Sequence, residues 1–183
     1  MKHTIIAASL VACAGLSQAT AGDYASVQID HVKDSKSGAV STAQYFRAGT
    51  KAYGLNLDAQ VRTAVFSKGG MLNSVELTAG KGLGPVNVFG GLGHDNGFNG
   101  ATGSAYTYGP VGEQTGVKAG PGFALLGVKT RVGSDEAVRT KQTVAFATYS
   151  IPVAKNVSVN LNASKSYQTI KEDALGLGLS FNF

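Results

Sequence analysis

The sequence has no tryptophan, one cysteine and four prolines in 183 residues. A lone cysteine cannot close an internal disulfide, so the fold is not stapled. No apolar run reaches the roughly 20 residues that a membrane-spanning helix needs; the longest, Ile5 to Leu16, stands near the start. Stripes of helical period are also missing, which argues against an α/β enzyme fold. Metal and nucleotide signatures are lacking. No histidine pair has ligand spacing, no acidic loop has calcium-site periodicity, and the glycine cluster GLGHDNGFNG (91–100) contains no GxxxxGK[ST]. The 16 basic and 11 acidic residues give a net charge of +5. The bases are scattered singly, so they build no nucleic-acid patch.

What the chain does have is alternation. In YGLNLDAQVRTAVF, Tyr53 to Phe66, the residues Leu55, Leu57, Ala59, Val61, Thr63 and Val65 share one face, and Asn56, Asp58, Gln60 and Arg62 share the other. The second face is too polar for a soluble core. The pattern returns in Val75, Leu77 and Ala79, in Val86, Val88 and Leu92, in Ala124, Leu126 and Val128, and in Val157, Val159, Leu161 and Ala163. A mean hydropathy near zero fits such a chain, because the two faces of a transmembrane β-strand cancel.

The N-terminus reads as a secretory signal peptide: Lys2, an apolar run, then Ala19, Thr20 and Ala21 as an A-x-A site. Cleavage after Ala21 divides the chain into 1–21 and a single domain, 22–183, without cysteine. An uncleaved anchor and a lipobox ending at Cys13 are the alternatives.

Nine connections are expected. They are Lys33 to Ala39, Gly49 to Lys51, Lys68 to Gly70, Gly82 to Pro85, an 18-residue loop from Asp95 to Gly112, Gly120 to Gly122, Gly133 to Ala137, Pro152 to Asn156 and Ser166 to Asp173. They imply ten strands, with eight as the alternative. An even count suits a closed antiparallel up-and-down transmembrane β-barrel, an all-β fold.

The chain ends ALGLGLSFNF, with Leu175, Leu177, Leu179, Phe181 and Phe183 on one face. This segment resembles the closing strand of the bacterial outer-membrane β-barrel superfamily, in which a final aromatic and alternate apolar residues form an assembly signal. The resemblance implies a Gram-negative outer-membrane protein that meets lipid, lipopolysaccharide and the barrel-assembly machinery. It implies no cofactor and no nucleic-acid partner, and a monomer is expected. Tyr24, Tyr53, Phe181 and Phe183 are expected at the periplasmic interface.

Within such a barrel, Asp30, Asp58, Arg62, Glu76, Lys129 and Arg131 share the inward parity and are expected to form a lumen charge network. Counting outward from a three-residue loop at Lys68, Gly69 and Gly70 sets Arg62 opposite Glu76 as an ion pair. Phe98, Tyr106 and Tyr108 are expected on the surface loop. His31 and His94 continue lipid-facing rows, where a lipid-modifying enzyme of this superfamily would place a base. Neither has a serine two residues later, as lipid A deacylases do, because Lys33 and Asn96 stand there. The expected protein is therefore non-enzymatic, either a narrow porin-like channel for small solutes or a structural barrel that recognises a surface ligand. A lipid-modifying enzyme is the alternative.

Overall fold

The structure is a computed structural model. It describes residues 23–35, 37–67, 70–99, 102–133, 142–168 and 171–183, without the side chains of 97–99, 102–104, 142 and 168. The segment expected to be a signal peptide (1–21), with Cys13, lies outside the described residues.

Ten strands follow one another: β1 (Tyr24–Asp34), β2 (Val40–Ala52), β3 (Leu55–Phe66), β4 (Met71–Leu83), β5 (Val86–Asn99), β6 (Thr102–Ala119), β7 (Gly122–Val132), β8 (Gln142–Ala154), β9 (Val157–Gln168) and β10 (Glu172–Asn182). Each pairs antiparallel with its sequence neighbour, and β1 pairs with β10 to close the barrel. Closure leaves no unpaired edge. The ladder Thr50, Leu57, Ala79, Gly90, Val111, Thr130, Thr143, Tyr167 begins near the β2–β3 turn and ends near the opposite end of β9. A row of rungs that climbs from one rim to the other means strongly tilted strands. The rim carrying Tyr24 and Asn182 is called the terminal rim below, and the other the far rim.

The apolar faces point outward. Leu57, Val61, Val65, Leu77, Leu92, Leu126, Val128, Leu161, Leu175 and Leu177 are exposed. The buried apolar residues are few: Val32, Ala43, Ala64 and Ala174 cluster inside the barrel with Tyr45 and Leu72, toward the far rim. This is the arrangement of a barrel narrow enough for its own side chains to fill.

Three expectations about connections are corrected. The chain turns at Tyr53 and Gly54, both with positive φ (53° and 75°), and Gly49 to Lys51 lies inside β2. Two positive-φ residues match the hairpin turn whose twist suits its strands. The segment expected to loop from Asp95 to Gly112 is mostly strand, because β5 runs to Asn99 and β6 starts at Thr102. The β3–β4 hairpin is offset by two residues: Val65 faces Met71, Arg62 faces Ser74 and Gln60 faces Glu76. The Ser67 amide donates to Val40 O (3.0 Å) on β2's first residue, which draws it away from β4.

Candidate functional site

The lumen holds a cavity of about 540 Å³, and Asp30, Asp58, Arg62, Glu76, Lys129 and Arg131 all line it. The expected Arg62–Glu76 pair is not formed, since the register sends the two side chains to different partners.

Glu76 is the hub of one cluster. Its rung continues through Gly93 on β5 to Tyr108 on β6. A side chain at Gly93 would collide with the Tyr108 ring, so glycine there lets the ring lie across β5. The phenol then donates to Glu76 Oε2 at 3.1 Å. Lys129 Nζ crosses from β7 to donate to Glu76 Oε1 at 2.7 Å. Its rung neighbour on β6 is Gly112, over which the Phe89 ring of β5 lies. Arg131 Nη2 stands 3.9 Å from Glu76 Oε2, and Nη1 donates to Asp95 Oδ2 at 3.2 Å. Tyr106 donates to the same Asp95 oxygen at 2.5 Å. The Arg131 guanidinium also sits 4.4 Å from the Tyr108 ring centroid, a cation–π distance.

The cluster is buried: Glu76 is 6% exposed, Arg131 6%, Tyr108 2% and Asp95 0%. Buried charges need paired, hydrogen-bonded partners, and each of these has at least one. The result is a rigid set of chords over the β4–β7 wall.

A second group lies nearer the terminal rim. Arg47 Nη2 donates to Asp58 Oδ2 at 3.2 Å, and the Tyr24 phenol donates to the same oxygen. Tyr24 therefore points inward, which corrects the expected interfacial position; even-numbered β1 residues share the parity of Asp30. Tyr53 stands fully exposed in its turn, while Phe183 is 38% exposed. A third group surrounds Arg62, whose guanidinium lies 5.6 Å from the Tyr45 ring and whose Nη2 is 4.0 Å from Glu172 Oε2. Gln28 Nε2 donates to Asp30 Oδ1 at 2.6 Å, and a side chain at Gly176 on β10 would collide with the Asp30 carboxylate.

Placing Tyr106 and Tyr108 on a surface loop is likewise corrected, since both are β6 side chains bonded to lumen carboxylates. Phe98 is on β5, and its side chain lies outside those described. Asp95, Arg47, Tyr45 and Glu172 were not among the residues singled out from the sequence. Asp95 shares its rung with Tyr106, and that parity was readable once the segment was taken as strand.

Outside the barrel, His31 and His94 are exposed on β1 and β5, and His94 Nδ1 lies 3.2 Å from Thr107 Oγ1. Leu175, Leu177 and Leu179 are exposed on the outer face of β10. Among the described residues, no group of three or more His, Cys, Asp or Glu is placed to hold a metal ion.

No family model matches the chain, and no curated protein does. Among solved structures, the translocator domain of the autotransporter NalP from Neisseria meningitidis aligns with a TM-score of 0.52 at 12% identity, covering 100% of this chain and 96% of that one. Outer membrane phospholipase A from Escherichia coli aligns with a TM-score of 0.50 at 11% identity, covering 91% and 93%. Neisserial surface protein A aligns with a TM-score of 0.43 at 14% identity, over 88% and 96%. Likeness at this identity concerns architecture: the chain has the fold of the bacterial outer-membrane β-barrels.

Proposed function

We propose that the protein is an integral outer-membrane barrel acting as a narrow, non-enzymatic channel for small polar solutes. The observation that carries this reading is the polar lumen cavity of about 540 Å³, narrowed on one side by the Glu76 cluster. Five bases, Arg47, Lys51, Arg62, Lys129 and Arg131, line it with four acids, Asp30, Asp58, Glu76 and Glu172, and the lumen charges balance once Asp95, buried against Arg131 outside the cavity lining, is counted. A lumen without net charge gives little preference between cations and anions. In this reading the terminal rim is periplasmic, in keeping with short turns on that side, and the far rim faces outward.

His31 and His94 have interfacial roles in this proposal. They stand on separate strands and both face away from the lumen cluster. The outward row Leu175, Leu177, Leu179, Phe181 and Phe183 serves as the assembly signal. An undiminished yield of folded, heat-modifiable barrel after Phe183→Asp would remove that assignment.

Planar-bilayer recording tests the channel. The refolded protein should give small, discrete conductance steps with weak ion selectivity, and replacing Glu76 and Lys129 together by Ala should enlarge them. A folded, inserted barrel without steps in either form would favour surface recognition over conduction.

A further inference from the structure

The outer face carries one charge out of keeping with its surroundings. Glu113 lies on the outward row of β6 and is exposed there. Its rung neighbours are Val88 on β5 and Val128 on β7, and its own row continues through Val111 and Thr115. All three valines are exposed. Glu113 is six residues before the end of β6 at Ala119, which on a strand tilted near 45° places it about 14 Å above the terminal rim. That depth is within the apolar band. An ionisable side chain facing hydrocarbon is costly, and where it persists it marks a functional contact.

Lys81 is the second member. It stands on the outward row of β4, directly opposite Val88, so Lys81, Val88 and Glu113 form one rung with the apolar residue in the middle. Among the described residues neither charge has an ion-pair partner within 4.0 Å. Two rungs farther from the terminal rim, on the same outward face, Ala79 pairs with Gly90. Beside this rung, over β2–β5, the outer wall is hollowed into a groove of about 840 Å³ lined by Ala48, Leu57, Ala59, Leu77, Ala79 and Gly90, with Asp23 and Phe183 also on its wall. Small residues such as these alanines and Gly90 let two membrane-embedded surfaces approach closely.

We propose that this face is the contact between two copies of the chain, related by a two-fold axis that runs along the membrane normal past Val88 and Gly90. A two-fold contact is self-complementary: if one residue meets a second across it, the second meets the first. A base and an acid flanking the axis meet that condition, because Lys81 of each copy reaches Glu113 of the other. The lysine stem reaches up from the rim while the carboxylate gains a donor that lipid cannot supply. A phospholipid headgroup satisfies Lys81 but repels Glu113, so the pair favours a second copy over a bound lipid. The inference rests on the membrane placement proposed above, and it replaces the monomer expected from sequence.

The test uses the full barrel refolded into lipid vesicles, with heat-modifiable migration confirming that every variant is folded and inserted. Proximity is read by energy transfer between labelled copies. The wild type should associate, while Lys81→Glu alone and Glu113→Lys alone should each dissociate by tenfold or more, because each then presents only one sign. Mixing the two variants should restore association, since every acidic position then meets a basic one. A pair formed within one barrel, across Val88, would give no rescue on mixing and would overturn the proposal. So would a folded wild type that shows no transfer at the same lipid-to-protein ratio. Gly90→Leu, which leaves both charges in place, should weaken association by filling the groove.

Discussion

The two walls of the lumen satisfy their polar groups in different ways. On the β8–β9 wall the bonds are local: Thr148 donates to Asn162 at 2.8 Å and Ser150 to Asn160 at 2.7 Å, each to the residue directly across on the next strand. On the β4–β7 wall they are chords: Lys129 on β7 reaches Glu76 on β4, and Arg131 on β7 reaches Asp95 on β5. Short neutral side chains bonded to their neighbours stay close to the wall and leave space beside it. Long charged side chains bonded across two or three strands take that space up. The passage in the channel reading therefore follows the neutral wall, and the charged wall sets its width.

Breaking one chord should have the largest effect. Glu76→Ala deprives Lys129 and Tyr108 of their hydrogen-bond acceptor and leaves the partly buried Lys129 ammonium without its carboxylate. Removing one partner of a buried pair costs roughly 3 to 5 kcal/mol, which equilibrium unfolding in urea, followed by the heat-modifiable band, should detect. The double replacement of Glu76 and Lys129 by Met should cost less than Glu76→Ala alone, because it leaves no unpaired ammonium and orphans only the Tyr108 phenol. If the double variant is the less stable one, the cluster holds the wall together through more than this pair.

How much of this was legible in the sequence follows the same division. Alternation over Val157 to Ser164 fixes both faces of β9, and its cross-strand partners come with the register. The chords do not follow from alternation, because they depend on which strand positions are empty. Gly112 falls in the loop expected from Asp95 to Gly112, with Tyr106 and Tyr108, and Gly93 stands just before it. In the barrel the two glycines are the low points over which the rings of Tyr108 and Phe89 lie. Inward parity for Arg62 and Glu76 was readable, whereas their pairing was not, because Phe66 N donates to Gly70 O and Ser67 N to Val40 O on β2, which moves the turn by one residue. A hairpin count cannot include the contact with β2. Tyr24 shows a related failure, in which a general preference for aromatics at interfaces was set above the inward parity of its own strand.

A local bond on the neutral wall should matter less than a chord. Thr148→Val removes the donor to Asn162 while keeping the shape of the side chain. The expected loss is about 1 kcal/mol, and ion selectivity should not change. A loss as large as that of Glu76→Ala would mean that the neutral wall is as tightly coupled as the charged one, and the comparison would fail.

The smallest effect is expected where a charge pair stands outside the lumen. Lys165 and Asp173 face each other on β9 and β10, with Nζ to Oδ1 at 3.5 Å and side chains 60% and 52% exposed. This separation exceeds that of the Glu76–Lys129 pair by less than 1 Å, so distance alone would predict similar worth. Environment decides otherwise. Exposed pairs are screened by water and salt and pay side-chain entropy, and they contribute about 0 to 1 kcal/mol. Asp173→Asn should shift the unfolding midpoint only slightly, and raising the salt concentration should shrink the difference from wild type further. The Glu76 cluster should respond far less to salt, because buried pairs are poorly screened. A salt-insensitive cost of several kcal/mol at Asp173 would show that this outer edge is covered by something other than water, and exposure would no longer separate the weak pair from the strong one.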